Sequence, residues 1–180
     1  TDALPLPPPL PADAHALLLP GGSGLTADRR HIVRGIGYGV SIKNIMYSEG
    51  FDDYSTARCT LTNGSVELKF ATSEVGQGFV TLAPQIARSV LGVDNVTYDT
   101  IDTQIGSAGS TSASRQTWMS GGAVDGACRM VRERLFEHVG SMHGIDPLRL
   151  AIDDTDIIDT IGTLRISVQE ASENFTVSET

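Results

Sequence analysis

The sequence predicts an α+β domain in two layers, a mixed β-sheet with helices mainly on one face. Three observations point there. Asn63-Gly64 separates two runs of alternating apolar residues, segments 79–91 and 115–143 carry apolar stripes at helical spacing, and a short alternating run, 95–101, lies between those stripes. In order, the chain reads strand, hairpin, helix, strand, long helix and further strand material.

Residues 1–33 read as a linker rich in proline and glycine. Leu4-Pro5-Leu6-Pro7-Pro8-Pro9-Leu10-Pro11 cannot build a ladder or a helix, because proline lacks the backbone donor. Gly21-Gly22-Ser23-Gly24 then breaks the chain. A polyproline stretch also suits aromatic grooves. A chain that opens on Thr1 and a linker, without the basic-then-apolar start of a secretory signal, is expected to be a piece of something larger.

The domain itself is placed at 34–180. Ile36, Tyr38, Val40 and Ile42 alternate with Gly35, Gly37, Gly39 and Ser41, a strand with one bulky and one bare face. Segments 56–62 and 65–72 form a hairpin, since both Asn63 and Gly64 tolerate the positive φ of a type I′ turn. After a polar glycine loop, 73–78, Phe79, Leu82, Ala83, Ile86, Ala87, Val90 and Leu91 define one helical stripe that Gly92 ends. Pro84 requires that helix to begin near Gly78 or Phe79, keeping the proline close to the first turn. A strand at 95–101 and a second polar loop, 102–114, lead to the longest helix. Val124, Ala127, Cys128, Val131, Leu135, Val139 and Met142 line its inner side, with Gly144 and Pro147 stopping it. Segments 148–152 and 163–166 are strand candidates, and Ser167 with Glu170 reads as a capping box opening a last short helix.

Composition bounds the function. The chain has 180 residues, 40% hydrophobic and 19% charged, with a formal net charge of −9. An acidic chain without a basic field excludes nucleic acid as the main partner. No apolar run approaches the ~20 residues that span a bilayer. Cys59 and Cys128 are too few for a disulfide scaffold and read as reduced core residues of a cytoplasmic protein. There is no phosphate-binding G-x-x-x-x-G-K-[ST], and Gly35-Ile36-Gly37-Tyr38-Gly39 has the wrong spacing for a dinucleotide fingerprint. A G-x-S-x-G elbow is absent as well. His15, His31, His138 and His143 form no metal-binding pair, the last two being placed to interact with a helix C-terminus. The acidic run Asp153-Asp154-Thr155-Asp156, with Asp159 beyond, reads as a solvated turn.

Two segments are left. Glu74-Val75-Gly76-Gln77-Gly78 and Gly109-Ser110-Thr111-Ser112-Ala113-Ser114-Arg115-Gln116-Thr117 each join a strand to a helix start. Helix starts offer unpaired N–H groups and about half a positive charge, which suits an anion. Glycine allows close backbone approach, hydroxyls and Arg115 add donors, and the Gln77 amide can read a heterocycle edge. Two such loops predict one extended ligand, anionic and heterocyclic, held between them. The competing reading is that both are ordinary helix caps.

These segments resemble a known family. Glu74-Val75-Gly76-Gln77-Gly78, with Thr81 and Gln85-Ile86-Ala87, resembles the E-M-G-Q-G-x-x-T…Q-I-A stretch of the molybdenum hydroxylases, the xanthine dehydrogenase and aldehyde oxidase family. Thr111-Ser112-Ala113-Ser114-Arg115-Gln116-Thr117, Ser120-Gly121 and Ala123-Val124 are similar to its T-S-A-S-R-Q-T…S-G-N-A-V stretch. Arg34-Gly35-Ile36-Gly37, Lys43-Asn44 and Gly50-Phe51-Asp52-Asp53 fit its preceding strand and loop, so the likeness runs from about Arg34 to Val131. The resemblance implies that Gly76, Gln77 and Gly78, together with Thr111, Ser112, Ala113, Ser114, Arg115 and Gln116, hold molybdopterin or its cytosine dinucleotide form. It further implies a metal held by the pterin's sulfurs and not by side chains, with Gln77 near the metal's oxo or sulfido ligands. The expected activity is hydroxylation of a heterocycle or aldehyde with oxygen from water, electrons leaving through iron–sulfur and flavin subunits or domains.

The chain departs from that family in places. Gly122 stands for the usual asparagine, Pro84 interrupts the usual helix, and neither the G-G-G-F-G-x-K motif nor the glutamate of the G-E motif is present. Glu74 belongs to the loop and is read as a helix N-terminal carboxylate, not as the catalytic base. The expectation is therefore a middle cofactor-binding domain that needs the missing domains of its subunit. By itself it would lack the cofactor, be inactive, and associate through exposed apolar surface. The alternatives are a noncatalytic binding module for a phosphate-bearing small ligand, and a purely structural domain.

Overall fold

The computed structural model describes residues 39–40, 53–100, 102, 104–112 and 114–180. The chain divides into two units, Thr1–Ile42 and Lys43–Thr180. Of the first, Gly39 and Val40 are described, so the linker and most of the 34–42 strand expectation lie outside the described residues, as do Ile101 and Ala113. The second unit holds every element named below.

The hairpin forms where alternation and turn chemistry agree. Strands β1 (Ala57–Thr62) and β2 (Ser65–Phe70) pair antiparallel, from Ala57 against Phe70 to Thr62 against Ser65. Asn63 and Gly64 take φ of 47° and 72°, as a type I′ turn requires. Helix α1 (Phe79–Leu91) follows and returns the chain to β3 (Asn95–Thr100), which runs parallel to β2 in register Ser65–Asn95 to Phe70–Thr100. A parallel neighbour needs such a crossover. Helix α2 (Arg115–His143) begins and ends where the sequence pattern places it, with Gly144 left-handed at its C-cap. Alternate residues Cys59, Leu61, Val66, Leu68 and Phe70 turn inward to meet Ala83, Ala87, Val124, Cys128, Val131 and Leu135 of the two helices. Gly121 brings α2 close to α1, since a Cβ there would touch Ile86 and Leu82 at 3.6 and 3.8 Å. The Cys128 thiol, hydrogen-bonded to Cys59, and burial together push the Cys59 thiol far above its usual range.

Helix α1 begins at Phe79, the start that Pro84 demands; Pro84 is buried in its second turn, so the carbonyl of Val80 lacks its usual donor. Three elements depart from the sequence expectation. Met142, expected inside, is 53% exposed; the buried stripe of α2 ends at Val139 and Gly140. The chain after α2 makes a second sheet, with β4 (Leu150–Asp153), β5 (Asp156–Asp159) and β6 (Arg165–Ser167) in order β4-β5-β6. Asp154 at φ 56° makes the turn between β4 and β5, so the acidic run is a hairpin tip whose Asp153 and Asp156 both pair with Arg165. Asp159 is buried against Arg149. Finally, the short helix α3 (Val168–Ala171), capped by Ser167 as expected, delivers β7 (Thr176–Glu179) to the free edge of β1. The main sheet is thus β3-β2-β1-β7, mixed in direction. His138 stacks on Phe175 at 4.2 Å instead of serving the helix end. Among the described residues no helix is long and apolar enough to cross a membrane.

Candidate functional site

Both polar loops leave the same end of the sheet. The first, 71–78, runs from β2 to α1, and its ends are pinned by Phe70 and Phe79, whose rings meet edge to face at 5.1 Å. The second, between β3 and α2, starts beside the first: the Asp102 N–H donates to the Phe70 carbonyl at 3.3 Å. Parallel pairing of β2 and β3 causes this, because parallel neighbours present their C-terminal ends together.

The loops then touch. Gln77 Nε2 donates to the Ser73 carbonyl at 2.9 Å, and Thr111 Oγ1 donates to the same oxygen at 3.4 Å. Two of the residues singled out from sequence, one in each loop, therefore meet on one acceptor. Ala113 lies outside the described residues, but Thr111, Ser112 and Ser114 flank its position.

The first loop is organised by Glu74. Its Oε1 accepts from Gly76 N (2.8 Å) and Gly78 N (3.0 Å), and Oε2 accepts from Val80 N (3.1 Å). Those N–H groups, Gly78 and Val80 foremost, hold the carboxyl below its ordinary value. The α1 mouth, which the sequence offers to an anion, thus carries the chain's own anion. Gln77 Oε1 accepts from Val75 N at 2.7 Å, so its amide spans the loop on an exposed face. Gly76 and Gly78 have φ of 97° and 82°, and a Cβ built on either meets nothing within 4 Å. The backbone there opens to one side.

The second loop is organised by Arg115 and Gln116, both 2% exposed. Arg115 Nη1 donates to the carbonyls of Ala108 (2.6 Å) and Ser110 (3.0 Å). Nε and Nη2 both reach Asp53 Oδ1, and Nη2 also donates to the Tyr54 carbonyl at 3.3 Å. Gln116 Nε2 donates to Thr111 Oγ1 (3.2 Å) and the Ala108 carbonyl (3.4 Å), while its Oε1 accepts from Ser120 Oγ. Sequence reasoning offered Arg115 and Gln116 as ligand donors. The fold turns both inward, where they hold the loop's own carbonyls and hydroxyl. Asp53 and Ser120, which lie in the motifs that carry the resemblance but not among the site residues read from sequence, are the side-chain partners that hold Arg115 and Gln116. Ser114, the α2 N-cap, makes no side-chain hydrogen bond to the first turn.

The donor set can be matched to the pterin that the resemblance implies. A pterin edge carries donors and acceptors side by side, and the exposed Gln77 amide and the hydroxyls of Thr111, Ser112 and Ser114 suit it, while Gly76 and Gly78, their N–H groups held by Glu74, leave room for close approach. Thr72, in the first loop, has a buried hydroxyl without a hydrogen-bond partner among the described residues, a further polar atom at this end. A phosphate does not suit the α1 mouth, where Glu74 would have to leave first; among the described residues no carboxylate occupies the α2 mouth. Among the described residues, no three His, Cys, Asp or Glu side chains gather as a metal-binding group.

Similarity to known proteins accords with this geometry. The profile of the family described as "Molybdopterin cofactor-binding domain" matches residues 24–179. A nicotinate hydroxylase of Emericella nidulans is 35% identical over 101 residues, covering 54% of this chain and 7% of that protein. Among solved structures, the reconstituted CO dehydrogenase from Oligotropha carboxidovorans has a TM-score of 0.59 at 22% identity, covering 68% of this chain and 16% of that one. Quinoline 2-oxidoreductase from Pseudomonas putida 86 has a TM-score of 0.60 at 22% identity, covering 66% and 16%. The chain spans 7–16% of the length of these relatives, and the two structures share its fold.

Proposed function

The chain belongs to the molybdopterin cofactor-binding domain family and is part of the molybdopterin-binding region of a molybdenum hydroxylase; from that premise we propose that its two loops clasp the pterin between them. The observation that carries the reading is the meeting of Gln77 and Thr111 on the Ser73 carbonyl, which joins the loops into one polar surface. Gly76, Gln77 and Gly78 would contact the pterin on one side, and Thr111, Ser112, Ala113 and Ser114 on the other. Arg115 and Gln116 hold the second loop from behind.

When bound, the cofactor supplies the redox chemistry that inserts water-derived oxygen into a C–H bond of a heterocycle or aldehyde. This chain's residues bind and orient. Gln77 would offer both a donor and an acceptor to the bound group, beside the metal's oxo or sulfido ligands as the family resemblance implies. Glu74 stays ionised under the pull of the surrounding N–H groups and fixes the curve of the first loop, so it is not the proton acceptor. In this reading the base, the iron–sulfur and flavin centres, and part of the pterin cradle belong to other segments or subunits, and this segment by itself does not turn over substrate. The phosphate-module alternative is weaker, because Glu74 fills one of the two mouths it relies on.

The test uses the purified protein that carries this chain, produced in a host that makes molybdopterin. Wild type should hold molybdenum and pterin in equal amounts. Gln77→Ala should lower pterin retention at least ~tenfold with the melting temperature nearly unchanged, since the side chain is exposed. Wild-type protein free of pterin, or full retention in Gln77→Ala, would sink the proposal.

A further inference from the structure

Arg115 opens α2 yet is buried, and arginine carries five N–H donors. Each nitrogen meets protein oxygens: Nε on Asp53, Nη1 on Ala108 and Ser110, Nη2 on Asp53 and Tyr54. With every donor engaged by the protein, its influence on a ligand must pass through the loop it holds. We propose that Arg115, anchored by Asp53, is a positioning residue: by drawing the carbonyls of Ala108 and Ser110 inward, it turns the N–H groups of Gly109 and Thr111 away from the guanidinium and presents that of Thr111 as a ligand donor.

Peptide geometry supplies the reason. The described chain has no cis peptide bond, and in a trans unit the C=O and the following N–H point in opposite directions. A carbonyl pulled toward the guanidinium therefore drives the next residue's N–H away from it. Gly109 shows the turning away, since its N–H is taken by the Ser107 hydroxyl of the same loop at 3.1 Å, which leaves Thr111 as the donor for a ligand. The loop can lie this close only at a glycine. Gly109 has φ of 62°, and a Cβ there would stand 2.5 Å from Nη2 and 2.8 Å from Cζ, in the face of the guanidinium. Gln116 secures the same loop from the next position through Thr111 Oγ1, and Thr111 passes the setting on to the first loop at the Ser73 carbonyl. Lysine could not substitute. Its compact ammonium has three donors and no planar fork, so it cannot meet Asp53 on one side and two loop carbonyls on another.

The ligand half of this inference rests on the pterin reading; the loop half does not. Arg115→Lys, Asp53→Asn and, as a core truncation away from the site, Leu135→Ala are compared in the purified protein. On cofactor-free protein, proteinase K cleavage between residues 104 and 114 should be at least ~tenfold faster in Arg115→Lys, intermediate in Asp53→Asn, and at the wild-type rate in Leu135→Ala. On cofactor-loaded protein at matched distance below each melting temperature, Arg115→Lys should keep at most ~one tenth of the wild-type pterin while Leu135→Ala keeps it all. A role in stability alone would move Arg115→Lys and Leu135→Ala together. Wild-type-like cleavage of this loop in Arg115→Lys and Asp53→Asn, or pterin retention equal to that of Leu135→Ala, overturns the proposal. Loop opening in Arg115→Lys alongside a wild type that holds no pterin would support the positioning role and remove the pterin reading alone.

Discussion

The first loop is wound around an anion and the second around a cation, and the sign of the charge decides which backbone groups each loop keeps. Glu74 gathers the N–H groups of Gly76, Gly78 and Val80, so the first loop spends its donors inward. Arg115 gathers the carbonyls of Ala108 and Ser110 from the second loop and of Tyr54 from outside it, so around the guanidinium the second loop spends acceptors inward. In the proposed reading the first loop would meet the ligand through a side chain, Gln77, and the second through the Thr111 N–H and its hydroxyls. Burial differs too: Glu74 is exposed, whereas Arg115 is 2% exposed and its partner Asp53 10%. A buried charge that loses its partner keeps its desolvation penalty, while an exposed one is rehydrated.

Asp53→Ala attacks the buried side of this contrast and should have the largest effect. Leaving the guanidinium uncompensated is expected to cost about 3–5 kcal/mol, read as a lower urea midpoint at unchanged slope. Stability within 1 kcal/mol of wild type, on the order of an exposed pair's worth, would mean that the two loops do not differ in kind.

Gly109→Ala sharpens the steric half. A left-handed alanine costs about 1–2 kcal/mol before the contact with the guanidinium is counted. The same substitution at Gly76 or Gly78 meets nothing within 4 Å and should show the conformational share alone. Equal losses at all three positions would refute close packing on Arg115.

Glu74→Gln probes the exposed side and should be the mildest. The N–H groups of Gly78 and Val80 hold the Glu74 carboxyl below the ordinary 4.5, so it contributes stability that is present above that value and lost as pH falls through the lowered one. The deficit of Glu74→Gln relative to wild type should therefore be seen near neutrality and shrink in acid. A deficit independent of pH would show that the carboxylate's charge does not organise this loop.

Much of the fold was legible because it is local. Asn63-Gly64 between alternating runs, the α1 stripe ending at Gly92 and the α2 stripe ending at Gly144 each need only neighbours along the chain to act. Strands β5 and β7 were not legible, since they form by filling the edges of β4 and β1. The same holds in the site. Gln116 and Ser120 lie four apart on the inward side of α2 and could have been found by running its stripe back toward the N-terminus. Arg115 could not: it stands nine residues before Val124, about half a turn round the helix from it, and is buried by the loop and by Asp53 and Tyr54, not by the core.

Sequence alone determined the two loops, the residue types in them and the helices they open, because turn chemistry, capping and periodicity act over a few residues. Tertiary structure decided which of those residues face outward. It set Thr111 beside Gln77 by pairing β2 with β3, filled the α1 mouth with Glu74, and enclosed Arg115 against an aspartate 62 residues away. A charge finds its partner by distance in space and by the loss of water, and neither is written along the chain.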